Sequence, residues 1–265
     1  MNRYFRLFML FMCAVQAVMG VGFFLGVPAV TQLWPFSYTN QMSYIFISSI
    51  FAAAAASTLW CLLKQDDRAL AGVALDYVAI FIPVSIYLFQ TSSASANRPL
   101  PPFLIVTGMS VIFGFGLFLW ARRQPIYDTR PMPHMLRWIF AFFVIALIIA
   151  GGRMVLKEPN VLPWTSTAAA TVVYGWMFLG AAFYFLYGVL FPGWYNAGGQ
   201  LAGFLAYDLV LIVPVLGLYQ NATEARLPSL IIYTLVLIIS GLLAIYYLFI
   251  NPATRMRWPR PAPVN

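Results

Sequence analysis

Two aspartates stand inside long apolar runs, Asp76 and Asp208, each with a tyrosine beside it, Tyr77 or Tyr207, and a proline farther on, Pro83 or Pro214. A carboxylate inside a membrane span is costly to ionise unless it meets a cavity or a partner, so such a residue marks a site by default. From the start of its apolar run each aspartate is six or seven residues in, about 9 to 10 Å at 1.5 Å per residue. Each proline frees a backbone carbonyl of the preceding turn. A pair of this kind can bind a cation or relay protons. The competing reading has each carboxylate accepting bonds from Ser, Thr or Tyr of other helices and tying the bundle together. The expected ion, proton or inter-repeat site is therefore Asp76, Asp208, Tyr77 and Tyr207.

Arg153 follows Gly151-Gly152 at the end of another apolar run, where it can contact an anion on the outer side or simply snorkel to the interface, with Glu158 close enough for a local pair. His134 is the single histidine and lies in a basic link. It leaves no bis-histidine haem ligation within one chain and no His-rich zinc site. Cys13 and Cys61 fall in apolar runs and read as small hydrophobes, neither a disulfide framework nor a metal pattern. There is no Gly-rich phosphate loop, nucleophile elbow, paired metal motif or nucleophile–base pair. The expectation is no catalytic, cofactor or metal residue, no cofactor and no enzyme.

The elements that hold these residues follow from composition. Of 265 residues, 62% are hydrophobic and 8% charged, whereas soluble domains carry roughly 25% charged residues. That difference excludes a soluble globular protein. Apolar runs at 4–26, 41–63, 70–89, 103–121, 135–156, 168–191, 201–219 and 228–250 have the length of membrane helices and lack the period-two alternation of barrel strands. The first run continues past the length of a signal-peptide core, so a retained first span is expected. Of the 15 Lys and Arg residues, eleven fall on the side of the N-terminus and four (Arg98, Arg153, Lys157, Arg226) on the other. The bias places both termini in the cytoplasm, and an even number of spans requires them to share a side. A bacterial inner membrane is the expected location. The cations flank spans, which argues for lipid contact and against a nucleic-acid partner; other membrane subunits or a homo-oligomer remain open.

The chain also repeats itself. Gly20, Pro28 and Val30 recur as Gly151, Pro159 and Val161 at a spacing of 131, and Asp76 and Pro83 recur as Asp208 and Pro214 at 132 and 131. Trp34-Pro35-Phe36-Ser37 has a partner in Leu162-Pro163-Trp164-Thr165, and Gly116 and Pro125 match Gly241 and Pro252. These matches keep chain order, as a tandem duplication requires. The expected fold is an all-α integral membrane protein of eight transmembrane helices, built from a first four-helix repeat, 1–127, and a second, 132–265, ending in a short basic Pro-rich tail. With four spans each, the repeats enter the membrane in the same direction, related by a pseudo-two-fold axis along its normal. Ser37 and Thr165 are expected to cap the spans that follow, with the neighbouring aromatics anchoring at the headgroups or framing an entrance. Two functions fit: a small-solute or ion/proton-coupled carrier with a site between the repeats, and a non-catalytic accessory or assembly subunit of a larger membrane complex.

Overall fold

A computed structural model describes residues 2–36, 40–93 and 102–256. Ser37, Arg98, Arg257 and the tail beyond lie outside the described residues. Eight helices are long and apolar enough to cross a membrane, and the described residues contain no β-strand. They are α1 Arg3–Phe24, α2 Gln41–Lys64, α3 Leu70–Ser93, α4 Pro102–Ala121, α5 His134–Val155, α6 Ala168–Leu190, α7 Trp194–Gly217 and α8 Leu227–Ile245. The last continues as a π turn, Tyr246–Ile250. Large apolar side chains such as Ile112, Trp138 and Val213 are 75%, 77% and 73% exposed. On helices of this length, such side chains belong against lipid. The protein is a multi-pass helical membrane protein.

Seven helices begin within about one residue of their apolar runs, but α7 starts at Trp194, seven residues before the run at 201. The stretch Asn196 to Gln200 is polar and glycine-rich, which hides it from hydropathy, yet it is buried in protein. Gly199 turns its carbonyl to the Ser57 hydroxyl of α2 at 3.0 Å, and the Gln200 amide donates to the Tyr184 carbonyl of α6. The Gly199 carbonyl and the Gln200 amide thus find partners that lipid cannot supply.

Helix starts are capped by residues other than those expected. Asn40 caps α2 by accepting from Ser43 N at 3.3 Å, and Thr167 caps α6 by accepting from Ala170 N at 3.2 Å. Thr165 lies two residues before its helix's cap and instead accepts from Asn40 Nδ2, at its carbonyl (2.9 Å) and its hydroxyl (2.6 Å). A cap side chain of one half is thereby fastened to a loop of the other.

Each helix packs along specific neighbours: α1 on α2, α3 on α4, α5 on α6 and α7 on α8, while α2 on α7 and α3 on α6 join the first four helices to the last four. Small residues set the closest approaches, as expected where no water drives helices together. At the α5–α6 contact a Cβ on Gly175 would come 2.7 Å from the Gly151 carbonyl oxygen, and one on Gly151 would come 2.8 Å from that of Gly175. Phe46, Tyr174 and Trp164 are buried in the largest core cluster, with Phe46 tilted against Trp164 and Tyr174 and edge-on to Tyr207. Arg6 at the start of α1 donates to the Leu62 carbonyl near the end of α2, and Arg130 donates to the Ala253 carbonyl after α8. The beginning of the first helix and the end of the last therefore lie on one face, called here the terminal face; the Asn40–Thr165 contact marks the far face.

Candidate functional site

Asp76 occupies the second turn of α3, six residues from Leu70. Its carboxylate rests against Gly180 of α6, where a Cβ would come 2.6 Å from Asp76 Oδ1. Only a glycine leaves room for it. Oδ1 is buried and has no hydrogen-bond partner among the described residues. Asp208 is 4% exposed, and its Oδ2 is likewise buried without a partner among them. It packs on Gly241 of α8, where a Cβ would stand 3.5 Å from Oδ2, while the neighbouring Ser240 hydroxyl donates to the Val236 carbonyl of its own helix at 2.6 Å. Because α7 begins early, Asp208 is fourteen residues into its helix, about 21 Å along it, rather than the six or seven residues of the hydropathic reading.

The four residues form two places. Asp76 lies in the α3–α6 seam that joins the halves, whereas Asp208 lies in the α7–α8 seam within the second half. Tyr77 receives the Gln16 amide of α1, and the Tyr207 hydroxyl pairs with that of Tyr233 on α8. Both hydroxyls thus bond within their own half. Pro83 and Pro214 sit inside continuous helices, leaving the Ala79 and Val210 carbonyls without the usual donor.

On the far face a cavity of about 560 Å³ opens between the halves. Asn40, Gln41, Met42 and Ile45 of the first half line it, with Pro163, Trp164, Thr165, Pro214 and Arg226 of the second. Pro214 is six residues beyond Asp208 on α7, about 9 Å. The repeated aromatics are not headgroup anchors: Trp34 is 9% exposed and meets Phe23 and Phe103 edge-on, and Trp164 is 4% exposed and meets Tyr233 edge-on. They plug the far end of the bundle. Arg153 is exposed and pairs with Glu158 at 2.5 Å, an interaction worth little in solvent. The cation that lines the cavity is Arg226, which nothing in the sequence distinguishes from the other far-face cations.

The terminal face carries a polar clamp that the sequence disguises as a Pro-rich link. Asp66 Oδ1 accepts from the backbone N–H groups of Tyr127 (3.3 Å) and Asp128 (3.1 Å). Arg130 pairs with Asp128 at 2.6 Å, lies over the Trp194 ring and donates to the carbonyls of Ala253 and Arg255. The linker is further held by Met132 N to Pro192 O at 3.1 Å and Trp194 N to Arg130 O at 2.8 Å. Burial pushes the Asp66 carboxyl above its ordinary range, against the pull of the two N–H groups. Burial acts upward on Asp128 too, but the Arg130 bonds outweigh it and hold that carboxyl below the ordinary range.

The signs of these shifts differ, and so do their consequences. Asp66 binds its proton more tightly folded than unfolded, so its contribution is full below the ordinary carboxylate value of about 4 and falls as pH rises through its raised value. The Asp128 contribution is full above about 4 and is lost as pH falls through its lowered value. Asp66→Asn keeps Oδ1 and is expected to flatten the decline of Tm above about pH 4. Asp66→Ala strands two backbone donors and is expected to cost about 1–3 kcal/mol at every pH. Thermal unfolding in detergent measures both, and an unchanged Tm for Asp66→Ala would show that the clamp contributes no stability.

Cys13 and Cys61 are free and buried, and no group of three or more His, Cys, Asp or Glu side chains converges among the described residues. No protein-family model matches the chain, and neither the curated proteins nor the solved structures contain a significant match.

Proposed function

We propose that the protein is a non-enzymatic carrier of a bacterial inner membrane, moving a small solute or ion coupled to protons, with both termini in the cytoplasm. The observation that carries this reading is the far-face cavity, which is walled by both halves and reaches Pro214, about 9 Å along α7 from the buried Asp208. A buried carboxylate about two helical turns from a cavity is placed where proton-coupled transport can use it. Two parallel repeats, residues 1–127 and 132–265, form the frame. Advancing every helix number by four, and returning from α8 to α1, turns the α1–α2 contact into α5–α6, α3–α4 into α7–α8, and α2–α7 into α6–α3. That correspondence supports a pseudo-two-fold axis. Orientation is supported by the cations of the terminal face, among them Arg6, Lys64, Arg122, Arg123, Arg130 and Arg137.

A second reading, an accessory or assembly subunit of a larger membrane complex, is favoured by the separation of Asp76 and Asp208 into two glycine-lined helix seams. The test is reconstitution of purified protein into vesicles with an internal pH dye, followed by inward gradients of small anions, cations and neutral solutes. The carrier reading expects proton movement with at least one solute class. Absence of movement with every class, together with stoichiometric co-migration with other subunits after extraction in mild detergent, overturns it in favour of the accessory reading.

A further inference from the structure

The far-face cavity has a chemical bias that narrows what it holds, an inference that rests on the cavity serving as the carrier's outer site. Among the described residues Arg226 is the one charged side chain lining it, and no carboxylate does. It has no ion pair among the described residues, whereas Arg153, another far-face cation, is bound to Glu158. The first turn of α2, at Gln41 and Met42, also lines the cavity. Asn40 caps the Ser43 N–H, while those of Gln41 and Met42 lack partners within the helix and carry the positive end of the helix dipole. Behind the wall, the Trp164 indole N–H and the Ser43 hydroxyl are buried with no hydrogen-bond partner among the described residues. The rest of the lining sets apolar Ile45, Pro163, Pro214 and Leu218 beside the neutral polar side chains of Asn40, Thr165, Asn221 and Thr223. A smaller cavity, also lined by Arg226 and Trp164, adjoins it and contains Glu158, the carboxylate already held by Arg153.

We infer that this cavity binds a small organic anion, a carboxylate with a compact apolar body, whose charged group meets Arg226 and the first turn of α2. A volume near 560 Å³ falls in the range of about 300–1,000 Å³ usual for small-molecule sites. Guanidinium and carboxylate match as a two-point pair, and the ring of Trp164 with the prolines takes the apolar body. An anionic lipid offers the same chemistry, with its headgroup on Arg226.

Calorimetric titration of the full chain in phosphatidylcholine nanodiscs tests this with benzoate and its neutral isostere benzamide. Benzoate is expected to bind at least about tenfold more tightly than benzamide, and Arg226→Gln to weaken benzoate by about tenfold or more without changing Tm. Arg226→Lys is expected to fall between. Equal affinity for the two probes, no binding of either, or full benzoate affinity in a folded Arg226→Gln protein overturns the site. The comparison of benzoate with benzamide needs no variant to fold. Loss of benzoate binding when phosphatidylglycerol is added identifies a lipid headgroup as the resident anion; persistence identifies a soluble one. Benzoate binding that needs Arg226 but is never followed by uptake into vesicles sustains the site and overturns the carrier reading. Uptake of another solute, unaffected by Arg226→Gln, does the reverse.

Discussion

Asn in place of both Asp76 and Asp208 is expected to reduce solute-coupled proton movement by about a hundredfold or more and to leave the amount of protein in the membrane unchanged. The substitution keeps the size and the carbonyl oxygen of each side chain, so Gly180 and Gly241 still accommodate it. What disappears is the exchangeable proton. An amide also lacks the cost of ionising a buried acid, so the doubly substituted protein is expected to unfold no earlier than the wild type. Vesicle flux and quantitative blotting of membranes give the two readouts. Loss of accumulation with Asn at both positions would mean that the carboxylates hold helices together, and the accessory reading would then stand. The single variants separate the seams: Asp76→Asn alters the contact between halves, Asp208→Asn a contact within one.

The other large effect is steric. Gly175→Val is expected to remove most folded protein from the membrane, because its Cβ would lie 2.7 Å from the Gly151 carbonyl oxygen and 2.8 Å from Val155 N. Both are backbone atoms, so no rotamer change relieves the clash and α5 must move away from α6. Overpacking a close contact costs about 1–3 kcal/mol and more where backbone must shift. Gly151→Val meets the Gly175 carbonyl in the same way. Gly152 is the internal control, since a Cβ there has nothing within 4 Å, and Gly152→Val is expected to accumulate normally. If all three valine variants accumulate alike, the glycine contact does not hold α5 to α6.

Span number and most boundaries were legible because length and apolarity are properties of a stretch by itself. The start of α7 was not, since Asn196 and Gln200 owe their burial to α2 and α6, and hydropathy sees only the residue and its neighbours in sequence. The same limit governs the site. Asp76 and Asp208 stood out as acidic residues in apolar surroundings, but nearly uniform apolarity around each helix conceals which side meets which neighbour, so Gly180 and Gly241 could not be assigned to them. Tyr77 and Tyr207 draw notice only as neighbours of the aspartates, and their partners, Gln16 and Tyr233, are far away in the chain. Arg226 resembled any loop cation until the fold put it beside Trp164. Asp66 gave no signal either, because its two partners are backbone groups of the linker.

The fastening of the two faces is unequal. On the terminal face the linker is bound to Asp66, to the α6–α7 turn and to the segment after α8, whereas among the described residues the side-chain bonds crossing the halves on the far face run from Asn40 to Thr165. Were the linker to serve as a pivot between the halves, the opposite rim would travel farthest. Arg226 and Trp164 sit at that rim, where a small rotation about the pivot would produce the largest change in spacing.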